Sequence, residues 1–148
     1  MVSVNSMPSD ACCTRMVPLQ IYDRPRYYDM SLDKRGVKRQ VDYFEAVARK
    51  YGRPGMRGFV DIACGTSPQL MELARRGYEC AGLDKSRAML GYLSAKATDE
   101  GLRIKTVLAD MHRFRLAGRY DFAFILSDSL DVISNDQLLG HLRCVGGR

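Results

Sequence analysis

The chain has 148 residues, a length typical of one domain, and its 46% hydrophobic residues are enough for a sizeable core. No apolar run approaches the roughly 20 residues of a membrane span. Neither a signal peptide nor a metal-binding cysteine and histidine pattern is seen, so a reducing cytoplasm is the expected location. The net charge of +6 lies mostly before residue 59, and we interpret it as a solvated helix face, because no basic and aromatic platform for nucleic acid accompanies it.

The N-terminal part divides into two segments. Residues 1–20 show no periodicity and are expected to form a flexible tail. Residues 21–57 start with a predicted aromatic loop over residues 22–29, followed by a helix from about Ser31, its candidate cap. Gly52 and Pro54 are expected to end this helix. Its predicted buried stripe consists of Val37, Val41, Phe44, Ala48 and Tyr51.

From Gly58 onward, strand and helix patterns alternate. The predicted strands are Gly58–Ala63, Tyr78–Leu83, Arg103–Ala109 and Tyr120–Leu126, the last apolar on both faces like a central parallel strand. The predicted helix caps are Ser67, Ser86 and Asn135. This order predicts an α/β fold, a doubly wound, Rossmann-like parallel sheet with helices on both faces and only the first four core strands. Residues 58–148 are expected to form this core, incomplete at its C-terminus because a return strand should follow the last helix.

The most informative segment runs from Phe59 to Pro68 and is typical of a buried strand, a turn of small residues and a helix start. Such a turn lets backbone N–H groups and the helix N-terminus approach a ligand. Asp84 ends the next strand, where its carboxylate can accept both hydroxyls of a ribose. The two features together predict a site for the adenosine part of a cofactor.

Four segments together resemble the class I S-adenosylmethionine-dependent methyltransferases. Residues 60–66 are similar to the family's cofactor motif and residues 82–90 to its ribose-binding motif. Residues 109–114 are similar to its adenine-edge motif, and residues 120–130 to its fourth strand and the cofactor-facing end of that strand. The resemblance spans nearly the whole chain but only the first half to two-thirds of a typical family domain, so we expect a truncated sequence.

The resemblance implies S-adenosylmethionine as the cofactor and a role for each matching residue. Asp61 would help to hold the cofactor's amino group, Asp84 would take the ribose hydroxyls, and Asp110 would accept from the adenine amino group. Tyr28, with Tyr27, resembles the aromatic segment that covers the cofactor in small-molecule methyltransferases. The implied cofactor-binding residues are Tyr28, Asp61, Ala63, Cys64, Gly65, Thr66, Asp84, Lys85, Met89, Asp110, Met111 and Ser127.

The remaining residues of that set follow the same motifs. Backbone atoms of residues 64–66 would face the methionine part of the cofactor. Lys85 and Met89 would lie near the adenine face, and the Met111 N–H would point to a ring nitrogen. Ser127 would lie near the sulfonium and the acceptor. No catalytic residue and no metal site are assigned.

The main candidates also have structural interpretations. Asp61 could cap the turn, Asp84 could share a helix cap with Ser86, and Asp110 could cap a short turn of its own. The two tyrosines could simply pack a helix onto the sheet.

Two positions depart from the family's glycines. Ala63 is a mild change, whereas Ser67 could either strain the turn, because glycine alone adopts positive φ freely, or start the helix conventionally. We therefore expect weaker cofactor affinity. Cys64 is expected to be inert backbone support, and His141 and Cys144 to be structural.

The expected function is transfer of a methyl group from S-adenosylmethionine to an unidentified acceptor, with a small molecule as the default. The first alternative is a non-catalytic remnant that binds the cofactor weakly or not at all. A nicotinamide-dependent dehydrogenase is a second, but Ala63, Gly65 and Pro68 stand where its Gly-x-Gly-x-x-Gly would be. The sequence leaves the oligomeric state open.

Overall fold

The structure is a computed structural model that describes residues 21–126, 129–130 and 134–146. The tail expected over residues 1–20 therefore lies outside the described residues. A short 3₁₀ helix (Ile21–Asp23) comes first. The α-helices are α1 (Pro25–Ser31), α2 (Val37–Tyr51), α3 (Pro68–Arg75), α4 (Arg87–Asp99) and α5 (Asn135–Gly146). The strands are β1 (Gly58–Ile62), β2 (Glu79–Asp84), β3 (Ile104–Leu108) and β4 (Phe122–Phe124).

The strands form one parallel sheet with the order β3-β2-β1-β4, which confirms the predicted fold class. Val60 pairs with Ala81 of β2 on one side and with Ala123 of β4 on the other, and Ala81 pairs with Lys105 of β3. Because all four strands run in the same direction, their carboxyl ends meet at one edge. The turn after β1 and the tip of β2 are therefore neighbours at that edge.

Helices cover both faces of the sheet, as predicted. On one face, α2, α3 and α4 pack through a core that includes Val41, Phe44, Leu70, Leu73 and Leu93. On the other face, Phe114 and the partly buried Cys144 of α5 pack against the residues of β1 and β2 that point that way, namely Val60, Ile62, Ala81 and Leu83. In the described part of the chain, no helix is long and apolar enough to cross a membrane.

The N-terminal segment differs from the prediction. Helix α1 takes the place of the predicted aromatic loop, because Pro25 suits the first turn of a helix. Ser31 ends α1 and does not begin the next helix: its Oγ donates to the Tyr28 carbonyl at 2.7 Å, and Leu32 is extended. α2 begins at Val37, after Gly36.

The predicted stripe on α2 is buried except at its end. Tyr51 is the last residue of the helix and is 74% exposed, with the Lys50 ammonium 5.0 Å from its ring centroid. Gly52 follows as the C-cap, as expected.

Two predictions near the C-terminal end need correction. Ser134, and not Asn135, caps α5, since its Oγ accepts from the Gln137 N–H at 3.3 Å. β4 spans only three residues of the predicted strand Tyr120–Leu126, and it lies at one edge of the described sheet. It starts late because the Asp121 side chain accepts from the backbone N–H groups of residues 57 and 58, both at 2.9 Å, just before the ladder begins.

Candidate functional site at the carboxyl ends of β1 and β2

The turn between β1 and α3 has an unusual backbone. Ala63, Gly65 and Ser67 have positive φ angles of 59°, 54° and 29°. Glycine adopts this region without a steric penalty, whereas a residue with a Cβ atom is strained there. The turn is held against β2 because the Cys64 N–H donates to the Leu83 carbonyl at 2.9 Å. These three residues alternate with residues of ordinary φ and lie directly before α3, which begins at Pro68.

Asp84 links this turn to the start of α4. Its Oδ2 accepts from the Gly65 N–H at 2.8 Å, and its Oδ1 accepts from the Ser86 N–H at 2.7 Å. Ser86 also caps α4, as predicted, by accepting from the Met89 N–H at 3.3 Å. The carboxylate thus has the structural role that the sequence left open, and it stays partly exposed at the strand tip.

Asp61 lies behind the turn and is buried. Its Oδ2 accepts from Ser67 Oγ at 2.6 Å, while Ser67 Oγ itself accepts from the Leu70 N–H at 3.2 Å. Burial raises the pKa of Asp61 to about 7, against the lowering effect of the Ser67 hydroxyl, and the nearby Asp84 raises it further. Ser67 is therefore both a strained residue and a helix cap, so both interpretations of this position hold.

Cys64 has no features of a nucleophile. Its side chain is buried, and burial, with Asp61 and Asp84 nearby, raises the pKa of the thiol well above its ordinary value. A Cβ atom at Gly82 of β2 would come within 2.8 Å of Cys64 Sγ. The thiol is a packing group in the sheet-to-helix interface, which agrees with the expected inert role.

Tyr28 lies over the turn. A Cβ atom built at Gly65 would meet the Tyr28 ring at 3.3 Å and its hydroxyl oxygen at 3.6 Å, so the phenol lies directly on the Gly65 backbone. Its ring centroid is 5.9 Å from that of Tyr22. Burial raises the pKa of Tyr28, and the negative charges of Asp84 and Asp61 contribute. Tyr28 is thus close to both acids of the predicted site.

Asp110 lies beyond β3. Its Oδ1 accepts from the His112 N–H at 2.7 Å and contacts His112 Nδ1 at 2.9 Å, which makes it the cap of a short turn. These hydrogen bonds, opposed by slight burial, lower the pKa of Asp110, and the charge of Lys85 contributes. The side chain is 62% exposed and open to a ligand. The Met111 carbonyl contacts Nδ1 of the buried His141 at 2.8 Å, a structural role for that histidine.

Two predicted site residues have no side chain shown to be available to a ligand in the described part of the chain. Met89 is 1% exposed, so its side chain presents almost no surface to a ligand. Ser127 lies outside the described residues. The remaining predicted residues lie along the carboxyl edge of the sheet, in the turn, at the tips of β2 and β3, and on α1.

The structure adds residues that the sequence did not single out. Asp29 on α1 is buried and forms an ion pair with Lys96 of α4, whose Nζ also lies 3.3 Å from the Thr66 carbonyl. Thr66 Oγ1 is buried without a hydrogen bond of standard geometry, although it is close enough to Asp29 to help lower the pKa of that acid. A lysine in an amphipathic helix has no sequence signal that separates it from a surface lysine.

Two cavities lie away from this edge. One of about 670 Å³ is lined by residues that include Tyr78, Arg103 and Tyr120, and another of about 1140 Å³ by residues that include Phe114 and Arg143. Neither includes a predicted cofactor-binding residue. The candidate site is therefore identified by its chemistry, namely two carboxylates, a left-handed turn and an aromatic cover.

Known proteins resemble this chain in sequence and in fold. The family model described as a methyltransferase domain matches residues 59–145. A curated protein from Geobacillus sp. (strain WCH70), named "Putative methyltransferase", is 26% identical over 107 residues. This alignment covers 72% of the present chain and 43% of the Geobacillus protein.

Two solved structures are similar over most of the chain. The sugar N-methyltransferase KedS8 from Streptoalloteichus sp. ATCC 53650 has a TM-score of 0.69 at 26% identity, over 99% of this chain and 54% of that one. An S-adenosylmethionine-dependent methyltransferase from Clostridium acetobutylicum ATCC 824 has a TM-score of 0.68 at 21% identity, over 86% of this chain and 50% of that one. The second likeness shows the fold alone. The chain spans about half the length of these relatives.

Proposed function

This chain belongs to the methyltransferase domain family, and from that premise we propose that it binds S-adenosylmethionine and transfers the cofactor's methyl group to a small-molecule acceptor. The observation that carries the proposal is the Asp84 carboxylate, fixed by the Gly65 and Ser86 N–H groups beside the left-handed turn. An ionised carboxylate has about four lone-pair positions. The two hydrogen bonds leave two positions for the two hydroxyls of a ribose, so the residues fit the group.

The other acids take different parts in the proposed site. Asp110 is open to solvent next to β3 and would accept from the adenine amino group, with Lys85 and Met111 nearby. Asp61 is buried behind Ser67, so it would act through the turn and through its charge on the cofactor's amino group. The backbone of residues 63–66 would face the methionine part, and Tyr28 would cover the turn and exclude water. Ser127 remains proposed from the motif alone.

When bound, the cofactor supplies a methyl group that is already activated on a positively charged sulfur. The proposed task of this chain is to bind and orient it, because alignment with an acceptor can provide much of the rate enhancement of such a transfer. The similarity to a sugar N-methyltransferase supports a small-molecule acceptor, and an amine is the acceptor class that this similarity favours.

The test is isothermal titration of the chain with S-adenosylhomocysteine, the demethylated product of the cofactor. We expect micromolar binding, and a loss of about tenfold to a hundredfold in Asp84→Asn, because the amide has one acceptor oxygen in place of two and carries no negative charge. The amide oxygen can still accept from one of the two N–H groups, so the fold should persist.

Asp99→Asn is the matched control. It makes the same change at an exposed acid at the end of α4 and should bind like the unmodified chain. A folded, monodisperse chain that gives no heat would contradict the proposal and favour the non-catalytic remnant. Equal affinities for Asp84→Asn and the control would contradict the assignment of Asp84.

A further inference from the structure

Helix α1 is attached to the rest of the molecule in an unusual way. Its seven residues contribute one buried side chain, the carboxylate of Asp29, while Tyr27 and Met30 are 65% and 70% exposed. No side chain caps its N-terminus. An isolated helix of this length is unstable in water, and α1 offers little apolar surface to bury. Its position therefore depends on polar contacts.

Those contacts converge on Asp29. Its Oδ1 accepts from Lys96 Nζ at 2.9 Å, and its Oδ2 accepts from Lys34 Nζ at 2.5 Å. The Tyr92 hydroxyl, one turn before Lys96 on α4, lies 3.4 Å from Oδ2. Burial by itself would raise the pKa of Asp29, but the hydrogen bonds from Lys34, Lys96 and Thr66 lower it below its ordinary value. The carboxylate thus stays ionised at neutral pH.

Lys96 joins the helix to the turn. The same ammonium that pairs with Asp29 also lies 3.3 Å from the Thr66 carbonyl, inside the left-handed turn. Tyr28 immediately precedes Asp29 on α1, and its ring lies on Gly65 of that turn. Lys96 of α4 therefore contacts both α1, which carries Tyr28, and the backbone of the turn on which Tyr28 lies.

We propose that the Asp29–Lys96 ion pair positions α1 so that Tyr28 closes over the cofactor turn, and that the pair sets cofactor affinity without touching the cofactor. This inference rests on the proposed function of the turn. Both residues are positioning residues, because they act through Tyr28 and through the Thr66 carbonyl. Loss of the pair lets α1 leave the turn. The apparent affinity is then the affinity of the docked form multiplied by the fraction of time that α1 is docked.

The test measures binding of S-adenosylhomocysteine and local amide hydrogen exchange in Asp29→Asn, in Lys96→Met and in the double variant. We expect each single variant to weaken binding about tenfold, as for a helix docked one-tenth of the time. The loss in the double variant should be smaller than the sum of the two single losses, because both changes remove the same pair. Exchange should rise in residues 25–31 and stay unchanged in β1 and β2.

Asp33→Asn is the matched control, since it removes an acid of the same segment whose ion pair with Arg35 is exposed. It should leave both affinity and exchange in α1 unchanged. A purely structural role would instead lower the melting temperature and speed exchange throughout the sheet. That pattern, or unchanged binding in both single variants, would overturn the inference while leaving the proposed function intact. Absence of binding by the unmodified chain would overturn both.

Discussion

At the scale of the residue, the turn between β1 and α3 contains two residues with side chains in a conformation that suits glycine. Ala63 and Ser67 both have positive φ, and a left-handed residue with a Cβ atom costs about 1–2 kcal/mol. Their environments differ, since the Ser67 hydroxyl hydrogen-bonds both Asp61 and the Leu70 N–H. The same substitution should therefore have opposite effects at the two positions.

We expect Ala63→Gly to stabilise the fold by up to about 1 kcal/mol, because relief of strain exceeds the added chain entropy. Ser67→Gly should destabilise it by about 1–2 kcal/mol, because Asp61 loses its buried partner and α3 loses its cap. Urea denaturation of both variants measures the difference. A stabilised Ser67→Gly variant would show that strain, and not hydrogen bonding, dominates at this position.

Asp61 should make stability depend on pH. Its folded pKa of about 7 lies well above the ordinary value of an aspartate, so the folded chain keeps a proton that the unfolded chain has released. The free energy of unfolding should therefore fall as pH rises between about 4 and 7, by up to roughly 4 kcal/mol. Asp61→Asn retains the acceptor for Ser67 but cannot ionise. The melting temperature of Asp61→Asn should exceed that of the unmodified chain at pH 8 and match it at pH 4. The same difference in melting temperature at both pH values would contradict a role for Asp61 ionisation.

At the scale of the element, β2 approaches α3 and α4 so closely that position 82 has room only for glycine. A Cβ atom there would lie 2.8 Å from Cys64 Sγ and 3.1 Å from both Leu70 Cδ1 and Leu93 Cδ2. Core side chains are packed at crystal-like density, so the neighbours have little space to move.

Gly82→Ala should therefore destabilise the fold by about 1–3 kcal/mol through overpacking. Gly91→Ala is the control, since it lies on α4 with nothing within 4 Å of the added Cβ, and it should stabilise the helix by about 1 kcal/mol. Thermal melting of the two variants gives the comparison. Similar shifts of the melting temperature in both variants would contradict this prediction, because they would mean that β2 can move away from α3 and α4 without loss of stability.

At the scale of the whole molecule, the parallel sheet brings segments that are distant in the sequence together at one edge of the sheet, where the candidate site lies. The turn after β1, the tip of β2 and Asp110 beyond β3 all lie at the carboxyl ends of strands, where open α/β sheets bind ligands. α1 and α4 then place an aromatic cover over the turn. The chain matches about half the length of its relatives, and we propose that this half binds the cofactor.

The sequence by itself determined the alternation of strands and helices, the caps Ser67 and Ser86, and the place of Asp84 at the tip of β2. These features depend on local periodicity and on hydrogen bonds between residues a few positions apart, which a sequence shows directly. Local patterns misplaced the helix start at Ser31, because the predicted loop before it is itself helical from Pro25.

Only the tertiary structure decided which side chains meet. Asp29 and Lys96 are 67 residues apart in the sequence and form an ion pair, and Tyr28 of α1 lies on Gly65 of the turn after β1. The raised pKa of Asp61 arises from burial between the sheet and α3, which no spacing of residues encodes. Contacts between distant elements and the desolvation of a charge are properties of packing, so they appear only when the whole chain is folded.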